Sequence, residues 1–160
     1  MKDLVAIAEK IAEKLVARQQ TISVAESSTG GLISASLLAV PGASACFLGG
    51  AVVYTRDARR ILMNIPDDAM KGIRSASEPY ATLLASQIRQ RFSTVWGLSE
   101  TGATGPTGNR YGDAAGHCCM AVSGPQSAAI TLETGSSDRL ANMHEFASTA
   151  LNLLLKNLSL

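Results

Sequence analysis

The sequence predicts a single α/β domain over residues 1–160, with helices on both faces of a five-stranded sheet. Three observations carry this reading. Five short apolar runs, "TISVAES", "CFLGGAVVYT", "TVWGLSET", "GHCCMAVSG" and "SAAITLET", read as strands. Segments with helical spacing of apolar residues open the chain, separate the first three strands and close the chain. A length of 160 residues supports one substantial core and is too short for two ordinary domains.

Each element follows from its local chemistry. Leu4, Ile7, Ala8, Ile11, Leu15 and Val16 recur at helical spacing, so the chain begins with an amphipathic helix. Residues 21–27 form a short buried strand. A Ser/Thr/Gly cluster then marks the start of a second helix, which "GLISASLLAVPGAS" carries until Pro41 and Gly42 end it. After the strand at 46–55, "RDARRILMNI" reads as a short helix closing before Pro66. In "SEPYATLLASQIRQRF", Ser77 caps a helix and Pro79 fits its first turn. Strands follow at 94–101, 116–124 and 127–134. The last helix runs from about Asp138 to Leu158, with Phe146, Ala150, Leu151, Leu154 and Leu155 on its inner face. Between the third and fourth strands lies "GATGPTGNRYGDAAG", glycine-rich and without apolar period. It is the longest loop, and long loops in compact domains are commonly binding loops.

Composition removes several function classes. Aromatic residues are only 4% of the chain, so aliphatic side chains must fill the core. The formal charge is +1 and the basic residues are scattered apart from "RDARR", which argues against a nucleic-acid partner. Cys46, Cys118 and Cys119 do not suggest a disulfide framework. In a strand the adjacent pair Cys118 and Cys119 would point to opposite faces, so buried reduced thiols are expected. With two histidines and no Cys-His zinc spacing, no metal is expected. The amphipathic N-terminal segment lacks the uninterrupted apolar centre of a signal peptide, and no run approaches the ~18 apolar residues of a membrane span. The expected location is the cytoplasm, with no membrane partner.

"VAESSTGG", residues 24–31, gathers three hydroxyls, Ser27, Ser28 and Thr29, at a strand-to-helix junction. One reading is a helix cap, in which hydroxyl oxygens accept backbone N–H bonds and glycine allows close packing. A second uses the same geometry for chemistry. Free N–H groups and the positive end of the helix dipole favour a phosphate or a developing oxyanion. A serine there becomes a nucleophile if a base lies within reach. The segment is neither a Walker loop nor a G-x-S-x-G elbow.

"AESSTGG", "FLGGAVVYTRDAR", "SASEP" and "TGATGP", in this order and spacing, resemble the CinA C-terminal domain family of nicotinamide-nucleotide amidases. The resemblance spans almost the whole chain. It implies a three-layer α/β/α fold with a mixed sheet of about five strands. It also implies hydrolysis of the carboxamide of nicotinamide mononucleotide to nicotinate mononucleotide and ammonia, without metal or other cofactor, by a homo-oligomer. Position by position, Ser27 matches the nucleophile and Tyr54 the active-site tyrosine. Thr101 matches the Ser/Thr of the glycine loop, and Arg139 the arginine before the last helix. Ser28, Thr29, Gly30 and Gly102 fall among the substrate-binding positions by the same correspondence.

Three departures bear on activity. The family's Y-S/T-N-E-A-K block reads Tyr54-Thr55-Arg56-Asp57-Ala58-Arg59, so Arg59 stands where a lysine is the expected partner of the serine. A buried lysine can become neutral and accept a proton; a guanidinium does not. Its K-P-V-G segment reads Asp113-Ala114-Ala115-Gly116, and G-I-A-G-P reads Gly102-Ala103-Thr104-Gly105-Pro106. Three readings are open: a working amidase, with or without a changed substrate preference; a binding protein or catalytically weak paralogue that retains nucleotide affinity, which Arg59 and Asp113 favour over the first; and a structural or interaction protein without a ligand. Arg59 leads to the expectation of weak turnover. If a ligand is bound, residues 27–31, the 102–105 loop and Arg139 are expected to converge on one cleft.

Overall fold

A computed structural model describes residues 1–160 as a three-layer α/β/α sandwich around a mixed sheet. Its strands are β1 (Ile22–Glu26), β2 (Phe47–Val52), β3 (Trp96–Ala103), β4 (His117–Ser123) and β5 (Ala128–Glu133). The order across the sheet is β2-β1-β3-β4-β5; β2, β1 and β3 are parallel, while β4 and β5 run antiparallel to their neighbours. Helices α1 (Lys2–Ala17), α2 (Leu32–Leu38) and α5 (Arg139–Asn157) cover one face. Helices α3 (Arg56–Met63) and α4 (Glu78–Phe92) cover the other.

The two faces are packed differently. Leu4, Ile11 and Leu15 of α1 meet Phe146, Leu151 and Leu154 of α5 over Ile22, Val24 and Leu98 of the sheet, forming the larger core. On the α4 side Met63, Tyr80, Leu84 and Ile88 form one cluster, while small residues, Ala81, Ala85, Cys119 and Ala121, form another against the middle of the sheet. These small residues let α4 lie close to β3. A Cβ at Gly97 would come within 2.1 Å of the Ala85 carbonyl oxygen, and Ser99 Oγ donates to the Ala81 carbonyl at 2.5 Å. Strand alternation sends Cys118 into the larger core and Cys119 to the α4 side, and all three cysteines are free thiols.

The Ser77 cap and the helix start at Asp138 fall where the sequence puts them. Helix α2 instead starts from Gly31 with no hydroxyl cap, because Glu26 takes its first amides, and some boundaries move. Thr55, Ser77 and Asp138 each accept a backbone N–H three residues on, from Ala58, Tyr80 and Ala141. Helix α2 stops at Leu38 rather than at Pro41, since the residue before a proline is pushed out of the helical region. Strand β2 stops at Val52, which leaves Tyr54 beyond the strand. Two 3₁₀ turns, Ala43–Ala45 and Asp67–Met70, have no counterpart in the apolar periodicity. No helix is long and apolar enough to cross a membrane.

His117, at the start of β4, ties three segments together. Its Nε2 lies 2.8 Å from the Ala76 carbonyl oxygen, its Nδ1 contacts Glu133 of β5, and Asp113 sits 3.6 Å from Nε2. Cys119 Sγ is 3.7 Å away. Both ring nitrogens therefore face acceptors, an arrangement that suits the doubly protonated ring. Burial pulls its pKa down, but Glu133, the Ala76 carbonyl and Asp113 outweigh burial and hold it above the ordinary value.

Two stability predictions follow from this packing. Truncating fully buried Phe146 to alanine should cost about 3–5 kcal/mol in urea unfolding; a loss under about 1 kcal/mol would contradict its place in the main core. For His117, a raised folded-state pKa means its contribution is complete below the unfolded value of about 6.5 and is lost as pH rises through the folded value. The stability gap between wild type and His117→Gln should therefore be widest near about pH 5.5 and shrink toward about pH 9. A gap that widens with pH would contradict the assignment.

Candidate functional site

The parallel strands β2, β1 and β3 end at the same edge of the sheet. From β1 the chain crosses by way of α2 over one face to β2, then by α3 and α4 over the other face to β3. The connections thus diverge around β1, and ligands of open α/β sheets bind outside strand ends at such a switch point. Ser27 follows β1, Tyr54 follows β2, and Thr101 and Gly102 lie in the last turn of β3.

Two buried carboxylates shape the serine turn. Glu100 of β3 accepts from the backbone N–H groups of Ser27 and Thr29, each at 3.0 Å, and from the Ser28 hydroxyl. Glu26 accepts from the backbone N–H groups of Ile33 and Ser34, at 3.1 and 2.9 Å, and from the Ser34 hydroxyl at 2.6 Å. Thr29 Oγ1 bridges them, 2.7 Å from Glu26 and 2.9 Å from Glu100. Gly30 and Gly31, at φ of +63° and +107°, turn the chain into α2. The protein's own carboxylates therefore take the amides that the sequence offers to a bound anion. Burial and the adjacent Glu100 hold the Cys118 thiol, 3.4 Å from Glu100, well above its usual pKa, so it is a donor there and not a nucleophile.

This sorts the three hydroxyls. Ser28 and Thr29 are buried, serve Glu100 and Glu26, and do not line the cavity; exposed Gly30 does not line it either. The Ser27 hydroxyl alone makes no hydrogen bond within the protein, and it faces a cavity of about 500 Å³. The neighbouring Ser28 backbone N–H is also uncommitted.

Tyr54, Arg59, Thr101 and Gly102 share that cavity with Ser27. The Thr101 hydroxyl oxygen accepts from the Ala76 N–H at 3.2 Å, which leaves its own proton free to donate. Arg139 lies outside the wall but is joined to it. It donates to the Gly105 carbonyl at 2.6 Å and reaches the Tyr54 hydroxyl at 3.5 Å, bridging the glycine loop to the segment after β2. Tyr80 also lines the cavity, with burial pushing its phenol up to about 12, so it accepts no proton near neutral pH.

The corner where the family has lysine is an arginine cluster. Arg59, 7% exposed, donates through Nε to the Ile65 carbonyl at 3.3 Å and through Nη2 to Asp67. Arg56 and Arg60 converge on the same carboxylate, and their hydrogen bonds hold Asp67 well below the usual carboxylate range. At the second departure, Asp113 binds Arg74 at 2.5 and 3.0 Å and Asn109 Nδ2 at 2.8 Å. Asp113 is not in the cavity wall; it pins the long loop so that Asn109, Arg110 and Tyr111 are. Arg74 and Arg110 flank the Tyr111 ring at 5.5 and 5.2 Å, and the Arg110 hydrogen bond lowers its phenol pKa.

Sequence reasoning did not single out Glu100, Asp67 or the Asn109–Tyr111 wall. Glu100 carried a signal: it is the one carboxylate inside the apolar run "TVWGLSET", and a buried acid needs donors such as the Ser/Thr cluster provides. Asp67 had none, because its role depends on a turn that returns over α3. No group of three or more His, Cys, Asp or Glu is arranged to hold a metal ion.

Comparison with known proteins agrees with this architecture. A CinA-like protein of Acidobacterium capsulatum is 36% identical over 141 residues, covering 88% of this chain and 34% of that one. Another, from Anaeromyxobacter sp. strain K, is 34% identical over 146 residues, covering 91% and 36%. The chain thus spans about a third of the length of the curated relatives it matches. Among solved structures, the competence/damage-inducible protein CihA of Agrobacterium tumefaciens superposes with a TM-score of 0.90 at 26% identity, over 99% of this chain and 96% of that one. The competence or damage-inducible protein of Enterobacter asburiae gives 0.90 and 26%, over 97% and 98%. The CinA C-terminal domain model matches residues 4–158, and the chain belongs to that family.

Proposed function

We propose that the cavity takes nicotinamide mononucleotide and that Ser27 attacks its carboxamide carbon. The carbon–nitrogen bond then breaks, ammonia leaves carrying the serine proton, and water cleaves the acyl ester to release nicotinate mononucleotide. The observation that carries this reading is the Ser27 hydroxyl, the only one of the three that faces the cavity uncommitted, in a chain of the CinA family. The volume suits a mononucleotide, since small-molecule sites commonly span about 300–1,000 Å³. The free thiols suit the reducing cytoplasm, where this reading puts the reaction.

The proton-transfer side is poorly equipped. Arg59 is bound to Asp67 and the Ile65 carbonyl, and a guanidinium is no general base. This observation favours a second reading of the same site, a nucleotide-binding paralogue with little turnover. The two readings share the ligand and differ in rate.

Single-turnover ammonia release from nicotinamide mononucleotide separates them. The natural sequence should be slow, because general-base assistance is worth about 10²–10⁴-fold. Arg59→Lys should raise the rate, since Asp67 keeps Arg56 and Arg60 as partners. Ser27→Ala should abolish turnover while folding normally. Robust wild-type turnover that falls in Arg59→Lys would reject this account of the proton path. Activity surviving in folded Ser27→Ala would reject the nucleophile.

A further inference from the structure

Arg59 is built into the wall in a way its bond to Asp67 does not explain. The side chain is more than nine-tenths buried, yet only Nε and Nη2 have partners within the protein. No buried side-chain nitrogen or oxygen in the molecule lacks a hydrogen-bond partner. Nη1, with two N–H donors and no protein acceptor, must therefore be accessible, and the cavity that Arg59 lines is the space open to it. Arg56, on the same wall, grips Asp67 through Nε and Nη2 and likewise keeps Nη1 unpaired.

The charges point the same way. Asp67 is the only carboxylate on a wall that carries Arg56, Arg59 and Arg110, and its two oxygens also serve Arg60. One negative charge holds the fork-shaped donors in place without neutralising them. Guanidinium donors fixed in this manner match the oxygens of a phosphate or carboxylate, and their rigidity lowers the ordering cost of binding.

We infer that Arg59 and Arg56 form an oxyanion subsite, which binds a phosphate or carboxylate of the ligand through their Nη1 donors. Asp67 is the positioning residue of this subsite. The same side chain that removes the base thereby adds a binding contact. Only the ligand's identity rests on the nucleotide reading; the anion contact does not require hydrolysis.

The test is a titration followed through the Arg59 Nε–H resonance in ¹H–¹⁵N spectra at constant ionic strength. Inorganic phosphate and nicotinate are the probes, and nicotinamide is the uncharged control. At least one anion should shift the resonance saturably, and nicotinamide should not. A response to phosphate alone identifies the ligand's phosphate as the group bound; a response to nicotinate alone identifies the ring carboxylate. Arg59→Gln, followed by its effect on the same anion's affinity, should weaken binding roughly tenfold, as expected for loss of a charge-assisted pair. Arg56→Gln changes an exposed residue, is expected to fold if Arg59→Gln does not, and should weaken binding roughly threefold. No saturable response to either anion, an equal response to nicotinamide, or affinity unchanged in the folded variants would overturn the assignment. Ser27→Ala must retain anion binding. A protein that binds the anion but releases no ammonia would reject the hydrolase reading and leave the subsite standing.

Discussion

The grip of two buried carboxylates on one turn is the constraint from which the rest of the site follows. Glu26 and Glu100 are both fully buried and together receive the amides of Ser27, Thr29, Ile33 and Ser34 and the hydroxyls of Ser28, Thr29 and Ser34. Burying an acid is costly unless its oxygens are met by donors, and here the turn and the start of α2 supply them. The Ser27 hydroxyl is left uncommitted and lines the cavity, which makes it the nucleophile candidate. Because Glu100 comes from the central strand and Glu26 from its neighbour, the turn is fastened to the sheet instead of hanging from a loop. A site held this way loses little geometry to thermal motion.

The opposite wall obeys a different logic. Three arginines share one aspartate, so cationic donors are fixed in position while much of their charge remains available to a ligand. In a cavity of this size the effect is to favour anionic ligands and to disfavour any step that needs a neutral amine. Asp113 contributes indirectly by pinning the long loop through Arg74 and Asn109. The same kind of exchange thus occurs at the two departures that replace a lysine of the family pattern. Arg59 and Asp113, standing at those positions, are each engaged in an ion pair.

Much of the fold was legible because apolar spacing reports which face is buried. The helices with Leu and Ile at regular intervals, the capped starts at Ser77 and Asp138, and the divergent faces of Cys118 and Cys119 all follow from local rules. The end of α2 was less legible, since Val40 gives no sign of stopping until the conformational demand of Pro41 is weighed. At the site, motif spacing picked out Ser27, Tyr54, Thr101 and Arg59, whose side chains meet in one cavity. What it left out was who owns the hydrogen bonds. The Ser/Thr cluster offers the same donors to an internal carboxylate as to a bound anion, and only Glu100, arriving from more than seventy residues away, decides between them. Asp67 is similarly silent in sequence because its partners are set by a 3₁₀ turn with no apolar period.

Amide hydrogen exchange reports whether Glu100 holds the serine turn. The backbone N–H groups of Ser27 and Thr29 have no acceptor other than the Glu100 carboxylate. In the wild type both should be protected nearly as well as the amides of β3. In Glu100→Ala both should exchange rapidly while the amides pairing β3 with β4 stay slow, showing a released turn on an intact sheet. Protection of Ser27 and Thr29 that survives the loss of Glu100 would contradict this picture, because something other than the carboxylate would then be holding Ser27 in place.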